Sequence, residues 1–188
     1  MTEQEQTSEY HGTPWKANQN KSEVLGGGEV CICSKDLKIV WGDDWRFWKQ
    51  VKIPNGDNKW LKCEDGMELV QVCYLEVTGT LDLDKQEQLS AGNTYELFYI
   101  IKFKIDAFGW QDCPVLLHLV TPNGDKIKKS VNFEDYRKKG EGWYPVLGGE
   151  FTVGSPLKGK ISFGIHETET PFWKGGIILH GVLIQPKK

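Results

Sequence analysis

Long apolar runs are missing from this 188-residue chain. Its most hydrophobic stretch, 175–184, interrupts itself with His180 and covers about half of the roughly 20 residues a membrane-spanning helix needs, so no membrane span is expected. The first 24 residues hold no apolar core of the kind a secretory leader requires. Secretion by the classical route is therefore not expected, and the sequon Asn20-Lys21-Ser22 is expected to go unused. Excess positive charge is also missing: 23 Lys and Arg stand against 26 Asp and Glu, a net charge of −3. A protein held to nucleic acid by phosphate contacts carries a basic stripe, so nucleic acid is not an expected partner.

Cysteine is present but without metal-binding spacing. Cys31, Cys33, Cys63, Cys73 and Cys113 make an odd set with no Cys-x-x-Cys pair, so neither a metal nor a cofactor is expected. Reduced thiols are the expectation, with an unpaired one free to bridge to another chain where the compartment is oxidising. Catalytic signatures are lacking too. There is no Gly-x-Ser-x-Gly, His-Glu-x-x-His or P-loop, and His11, His118, His166 and His180 are scattered singly. A hydrolase reading would have to bring Glu150 and Glu167 together from two strand ends, so the chain is not expected to be an enzyme.

What the chain does hold is a period of two. Over Thr94 to Ile105, Tyr95, Leu97, Tyr99, Ile101, Phe103 and Ile105 fall on one side, as a half-buried strand requires. Ile161, Phe163 and Ile165 repeat the pattern. Further strands are expected at 37–41, 67–79, 115–121, 126–133, 143–151 and 176–185. Pro-Asn-Gly-Asp at 54–57 and 122–125 supplies turns that accept positive φ. No 12-residue helical stripe is present, though 133–139 has room for one short turn. These features predict an all-β protein, a two-sheet antiparallel β-sandwich of jelly-roll type. Residues 1–28 are polar, close on three glycines and cannot bury enough apolar surface to offset ordering, so they are expected to form a flexible, disordered N-terminal tail ahead of a domain at 29–188.

Eight Trp against two Met is the other conspicuous presence. Trp41-Gly42-Asp43-Asp44-Trp45-Arg46-Phe47-Trp48 packs four aromatics and two acids into one short segment after a strand. Core anchoring accounts for part of it, because indoles stiffen sandwiches. A sugar platform accounts for the rest: the C–H face of a pyranose lies on an indole while carboxylates accept from its hydroxyls.

Five ordered blocks resemble the plant phloem lectins, the Nictaba-like lectin family. They are Leu37-Lys38-Ile39-Val40-Trp41 with Phe47-Trp48; 68–79, with Tyr74 where the family commonly has Trp; Tyr95 to Phe103; Gly142 to Phe151, with one extra glycine; and His166-Glu167 followed by Trp173-Lys174-Gly175-Gly176 and 177–187. The resemblance implies a non-catalytic, carbohydrate-binding jelly roll for N-acetylglucosamine oligomers (chito-oligosaccharides, chitin) and the cores of N-glycans on glycoproteins. It implies a cytoplasmic protein of phloem sap and sieve elements with a role in plant defence, a homodimer in some members, and phloem filament protein as a partner. Trp41 and Trp48 match sugar-binding positions of the family and Glu167 an acidic one; with Asp43, Asp44, Trp45, Trp173 and Lys174 they make up the expected carbohydrate site. The competing expectation is an interaction module that cross-links a partner through its cysteines.

Overall fold

A computed structural model describes residues 22–25 and 27–188. The chain forms β1 (Ser22–Leu25), β2 (Glu29–Cys33), β3 (Lys38–Ile39), β4 (Trp48–Lys52), β5 (Asp65–Leu69), β6 (Leu75–Asp82), β7 (Thr94–Phe108), β8 (Val115–Val120), β9 (Lys126–Val131), α1 (Phe133–Lys138), β10 (Gly142–Thr152), β11 (Lys160–Glu167) and β12 (Gly175–Pro186). Every pairing is antiparallel. One sheet has seven strands. β12 lies at its centre with β7 and then β10 on one side; on the other side it pairs first with β5, which carries β4, and then with β2, which carries β1. The second sheet runs β3-β6-β11-β8-β9. The expected sandwich is therefore present. Most of the expected tail, residues 1–21 and Gly26, lies outside the described residues, and Ser22–Leu25 within it is a strand.

Alternation in β7 builds the core. Tyr95, Leu97, Tyr99, Ile101 and Phe103 are all buried between the sheets, where they meet Phe163 of β11 and Phe133 of α1. Each such ring contributes on the order of 2–3 kcal/mol of burial. The alternation fails at its end: Ile105, expected on the apolar face, is 83% exposed. The expected strand at 67–79 is also corrected. It splits into β5 and β6 on different sheets, and 70–74 crosses between them. The extra glycine of the Gly142–Phe151 block has a structural role, since the β10–β7 register shifts between Leu147 and Gly149. Gly148 is the bulge residue, and a Cβ there would come within 2.6 Å of the Tyr99 ring.

Residues 53–64 fold over the outer face of the seven-stranded sheet. There Leu61 packs with Cys31, Ile100 and Leu183, flanked by Trp60, Phe98 and Trp143. Three ties hold this segment. Cys33 and Cys63 form a disulfide, which corrects the expectation of uniformly reduced thiols. Trp143 donates its indole N–H to Asp57 at 2.7 Å. Buried His180 accepts from the Asn58 amide at Nδ1 and donates from Nε2 to the Cys63 carbonyl, both at 2.7 Å. An amide nitrogen only donates and a carbonyl only accepts, so this ring is neutral with its proton on Nε2.

Candidate functional site

Four loops meet at one end of the sandwich, and each crosses from one sheet to the other: 40–47 between β3 and β4, 70–74 between β5 and β6, 109–114 between β7 and β8, and 168–174 between β11 and β12. Loop 40–47 winds through consecutive tight turns, with Gly42 N–H donating to Ile39, and Asp44 N–H to Trp41. Trp41 itself adopts φ 63°, a left-handed conformation that costs a branched or bulky side chain of the order of 1–3 kcal/mol. That turn sends its indole inward.

The expectation of Trp41 and Trp48 as an exposed stacking shelf is corrected on this geometry. Trp41 is 6% exposed and Trp48, at the first position of β4, is 3% exposed; both belong to the core. Trp41 instead supports Phe47, their ring centroids 4.7 Å apart, and Phe47 stacks on Trp173 at 6.4 Å with 19° between the planes. A column of rings thus rises from the core, through half-buried Phe47, to Trp173, which is 48% exposed. Arg46 caps the column's flank, its guanidinium 5.3 Å from the Phe47 centroid. Trp45 stands out from the same loop at 73% exposure.

The charged residues sort in the same way. Asp44 is buried and accepts from the Arg46 guanidinium at 2.8–3.2 Å and from its backbone N–H at 3.0 Å. Those bonds with Arg46 hold its carboxyl below the ordinary carboxylate range against the opposing effect of burial. Asp44 is therefore occupied within the loop, whereas Asp43 beside it is exposed. Glu167 and Lys174 form a buried pair, Nζ to Oε2 at 2.7 Å, rather than an open pair facing sugar. Lys174 also donates to the Cys73 carbonyl at 3.0 Å, and Glu167 accepts from the Thr170 N–H at 3.1 Å. Burial alone would raise the Glu167 carboxyl, but Lys174 and Thr170 together hold it low. With a two-way backbone bridge between Val72 and Lys174, this pair locks loop 70–74 to loop 168–174. Loop 109–114 joins through Trp110, whose indole donates to the Gly175 carbonyl at 3.0 Å. Gly109, at φ 81°, lies so close that a Cβ would meet the Trp173 carbonyl oxygen at 2.0 Å.

The surface on this locked base is aromatic. Among the described residues the exposed large aromatics are Trp45, Tyr74, Phe108, Phe172 and Trp173, and all five stand on these loops or at the strand end that enters them. Of the expected site residues, Trp45, Trp173 and Asp43 face outward, while Trp41, Asp44, Trp48, Glu167 and Lys174 lie beneath. Sequence reasoning missed Phe47 as the bridging ring, and Phe172 and Phe108 as surface. The pairing of Phe172 with Trp173 just after a run of polar loop residues was the available signal. Clefts elsewhere, of about 390 Å³ beside His180 and about 920 Å³ at the opposite end along Thr94, Thr152 and Pro156, have no exposed aromatic ring in their walls.

Comparison with known proteins points to one family. The sequence profile described as Phloem protein 2 matches residues 28–186. Protein PHLOEM PROTEIN 2-LIKE A1 of Arabidopsis thaliana is 33% identical over 159 residues, covering 84% of this chain and 61% of that protein. A Luffa acutangula protein named Lectin is 30% identical over 159 residues, covering 84% of this chain and 70% of that protein. Protein PHLOEM PROTEIN 2-LIKE A5 of Arabidopsis thaliana is 31% identical over 166 residues, covering 86% of this chain and 38% of that protein. The chain thus spans 61% and 38% of the two Arabidopsis relatives' lengths, less than two thirds of each.

Proposed function

The chain belongs to the phloem protein 2 family, and on that premise we propose that it is a non-catalytic lectin of the phloem cytoplasm for N-acetylglucosamine oligomers, including the chitobiose core of N-glycans. The observation that carries the reading is the concentration of exposed aromatic rings at one end of the sandwich, on loops locked by the Glu167–Lys174 pair. Trp45 and Trp173 offer indole faces to the C–H side of a pyranose. Asp43 supplies a free carboxylate for hydroxyl or acetamide N–H groups. Trp41, Phe47, Trp48, Asp44, Glu167 and Lys174 hold that surface in place. An uncharged ligand suits a chain whose net charge is only −3. The buried Glu167, bonded to Lys174 and Thr170, is engaged within the protein, which supports the non-catalytic reading.

A glycan array with a turnover control tests this. Retention of chito-oligosaccharides, with no release of reducing ends, is the expected result; absence of any glycan binding would overturn it. Trp45→Ala and Trp173→Ala should each weaken binding about fivefold, from roughly 1 kcal/mol of lost stacking, with little change in Tm. Cross-linking to a filament partner falls to Cys73, since Cys31 and Cys113 are buried and Cys33 is bonded to Cys63. Covalent multimers that persist in Cys73→Ser would exclude that route.

A further inference from the structure

Two imidazoles meet on the outer face of the five-stranded sheet. His118 of β8 and His166 of β11 stand on neighbouring strands, where Gly164 pairs with His118 and Leu116 with His166. Their rings stack with centroids 4.5 Å apart, and Nδ1 of His118 lies 2.7 Å from Nε2 of His166. Glu76 of β6 sits directly opposite His166 and places Oε1 3.7 Å from its Nδ1. The Tyr74 hydroxyl donates to the other carboxylate oxygen at 3.2 Å. Gly164 makes room for the pair, because a Cβ there would come within 2.5 Å of the His118 ring. The His166 side chain is 22% exposed, so solvent reaches it.

The carboxylate behind His166 decides how the pair is read. With a proton on Nδ1 facing Glu76, His166 Nε2 accepts from His118 Nδ1–H at 2.7 Å; an ion entering between the two nitrogens would take both lone pairs as that proton moves to His118 Nε2. Glu76 behind His166 is the arrangement by which carboxylates orient metal-binding histidines. We propose that His118 Nδ1 and His166 Nε2 form a two-imidazole site for a divalent transition-metal ion, Cu²⁺ or Zn²⁺, with Glu76 as the orienting carboxylate. Metal–nitrogen bonds of about 2.0–2.1 Å in a tetrahedral shell require nitrogens about 3.3 Å apart. The two rings therefore part by roughly 0.6 Å, a small side-chain rotation on a solvent-facing surface. Among the described residues no group of three His, Cys, Asp or Glu side chains forms a cage, so water completes the shell. Lys128, opposite His118 on β9, opposes the cation and Glu76 offsets it. Imidazole selects the borderline metals, and Cu²⁺ binds tighter than Zn²⁺. Bound there, the ion ties β8 to β11 immediately before Glu167.

The test uses the full chain, with folding of each variant checked by circular dichroism. Titration with Zn²⁺ and with Cu²⁺ is expected to show one site per chain, with Tm rising as free metal rises and Mg²⁺ without effect. The electron paramagnetic resonance spectrum of bound Cu²⁺ is expected to show coupling to two imidazole nitrogens. His118→Gln and His166→Gln should each abolish the site, and Glu76→Gln should weaken it 10- to 100-fold. Failure of the wild-type chain to bind either ion overturns the proposal. So does binding that survives both histidine substitutions, which would place the ion elsewhere on the chain. If a histidine variant does not fold, a wild-type Cu²⁺ spectrum without two nitrogen couplings is equally decisive against it.

Discussion

Lys174 is a fully buried lysine whose ammonium faces one carboxylate and one carbonyl. Removing one partner of such a pair leaves the other charge unpaired, at a cost of about 3–5 kcal/mol. Lys174→Met should therefore lower the unfolding free energy from urea titration by that amount and loosen loops 70–74 and 168–174 together, read as faster amide exchange at both. The pH dependence follows from Glu167 and Asp44, whose folded pKa values lie below their ordinary ones. A depressed carboxyl adds stability that is present above about pH 4.5 and is lost as pH falls through the folded value. Urea midpoints from pH 7 to 3 should fall in that acid range, and less steeply in Lys174→Met. At this scale the sequence showed which residue types gather at the site but not which way each points. Trp41 and Trp45 look alike in composition; the φ 63° turn at Trp41 buries one indole, and the next turns of the loop leave the other outside.

Among the elements, the segment 53–64 has stability of its own to lose. The disulfide closes a separation of 30 residues, and restricting the unfolded chain by that loop contributes about 3–4 kcal/mol. Reduction, or Cys33→Ser with Cys63→Ser, should lower Tm by about 10 °C without abolishing the sandwich, measured by calorimetry. His180 beneath the same segment is held neutral, its pKa pushed down chiefly by burial. A lowered histidine destabilises the fold as pH drops below about 6.5, because the unfolded chain takes up the proton first. Tm should fall between pH 7 and 5, with a flatter slope in His180→Gln. The alternation of β7 and β11 and the apolar run of β12 were legible, and all three strands lie where those patterns put them; α1 occupies the single short turn expected at 133–139. The 67–79 stretch misled because its apolar spacing continues through the crossing at 70–74. β4 went unseen because Trp48–Lys52 is mostly exposed and has no apolar stripe. The Cys33–Cys63 bond was illegible because nothing local marks partners that only the fold brings together.

The molecule as a whole presents one aromatic end and a nearly balanced charge. Binding of a neutral oligosaccharide at such a surface should change little between low and high ionic strength, unlike binding to a polyanion, whose affinity falls by orders of magnitude. Isothermal titration with a chito-oligosaccharide at two salt concentrations checks this; a steep loss with salt would point to an anionic ligand.

The central strand has one more implication, for the order of events during synthesis. β12 pairs with β2, β5 and β7, and it follows all three in the chain. While the polypeptide leaves the ribosome, those three strands therefore wait with unpaired edges, and the seven-stranded sheet cannot knit together until its keystone emerges. Nascent chains stalled before Gly175 should lack the native sheet and engage chaperones, whereas the five strands of the other sheet have all been made by Glu167.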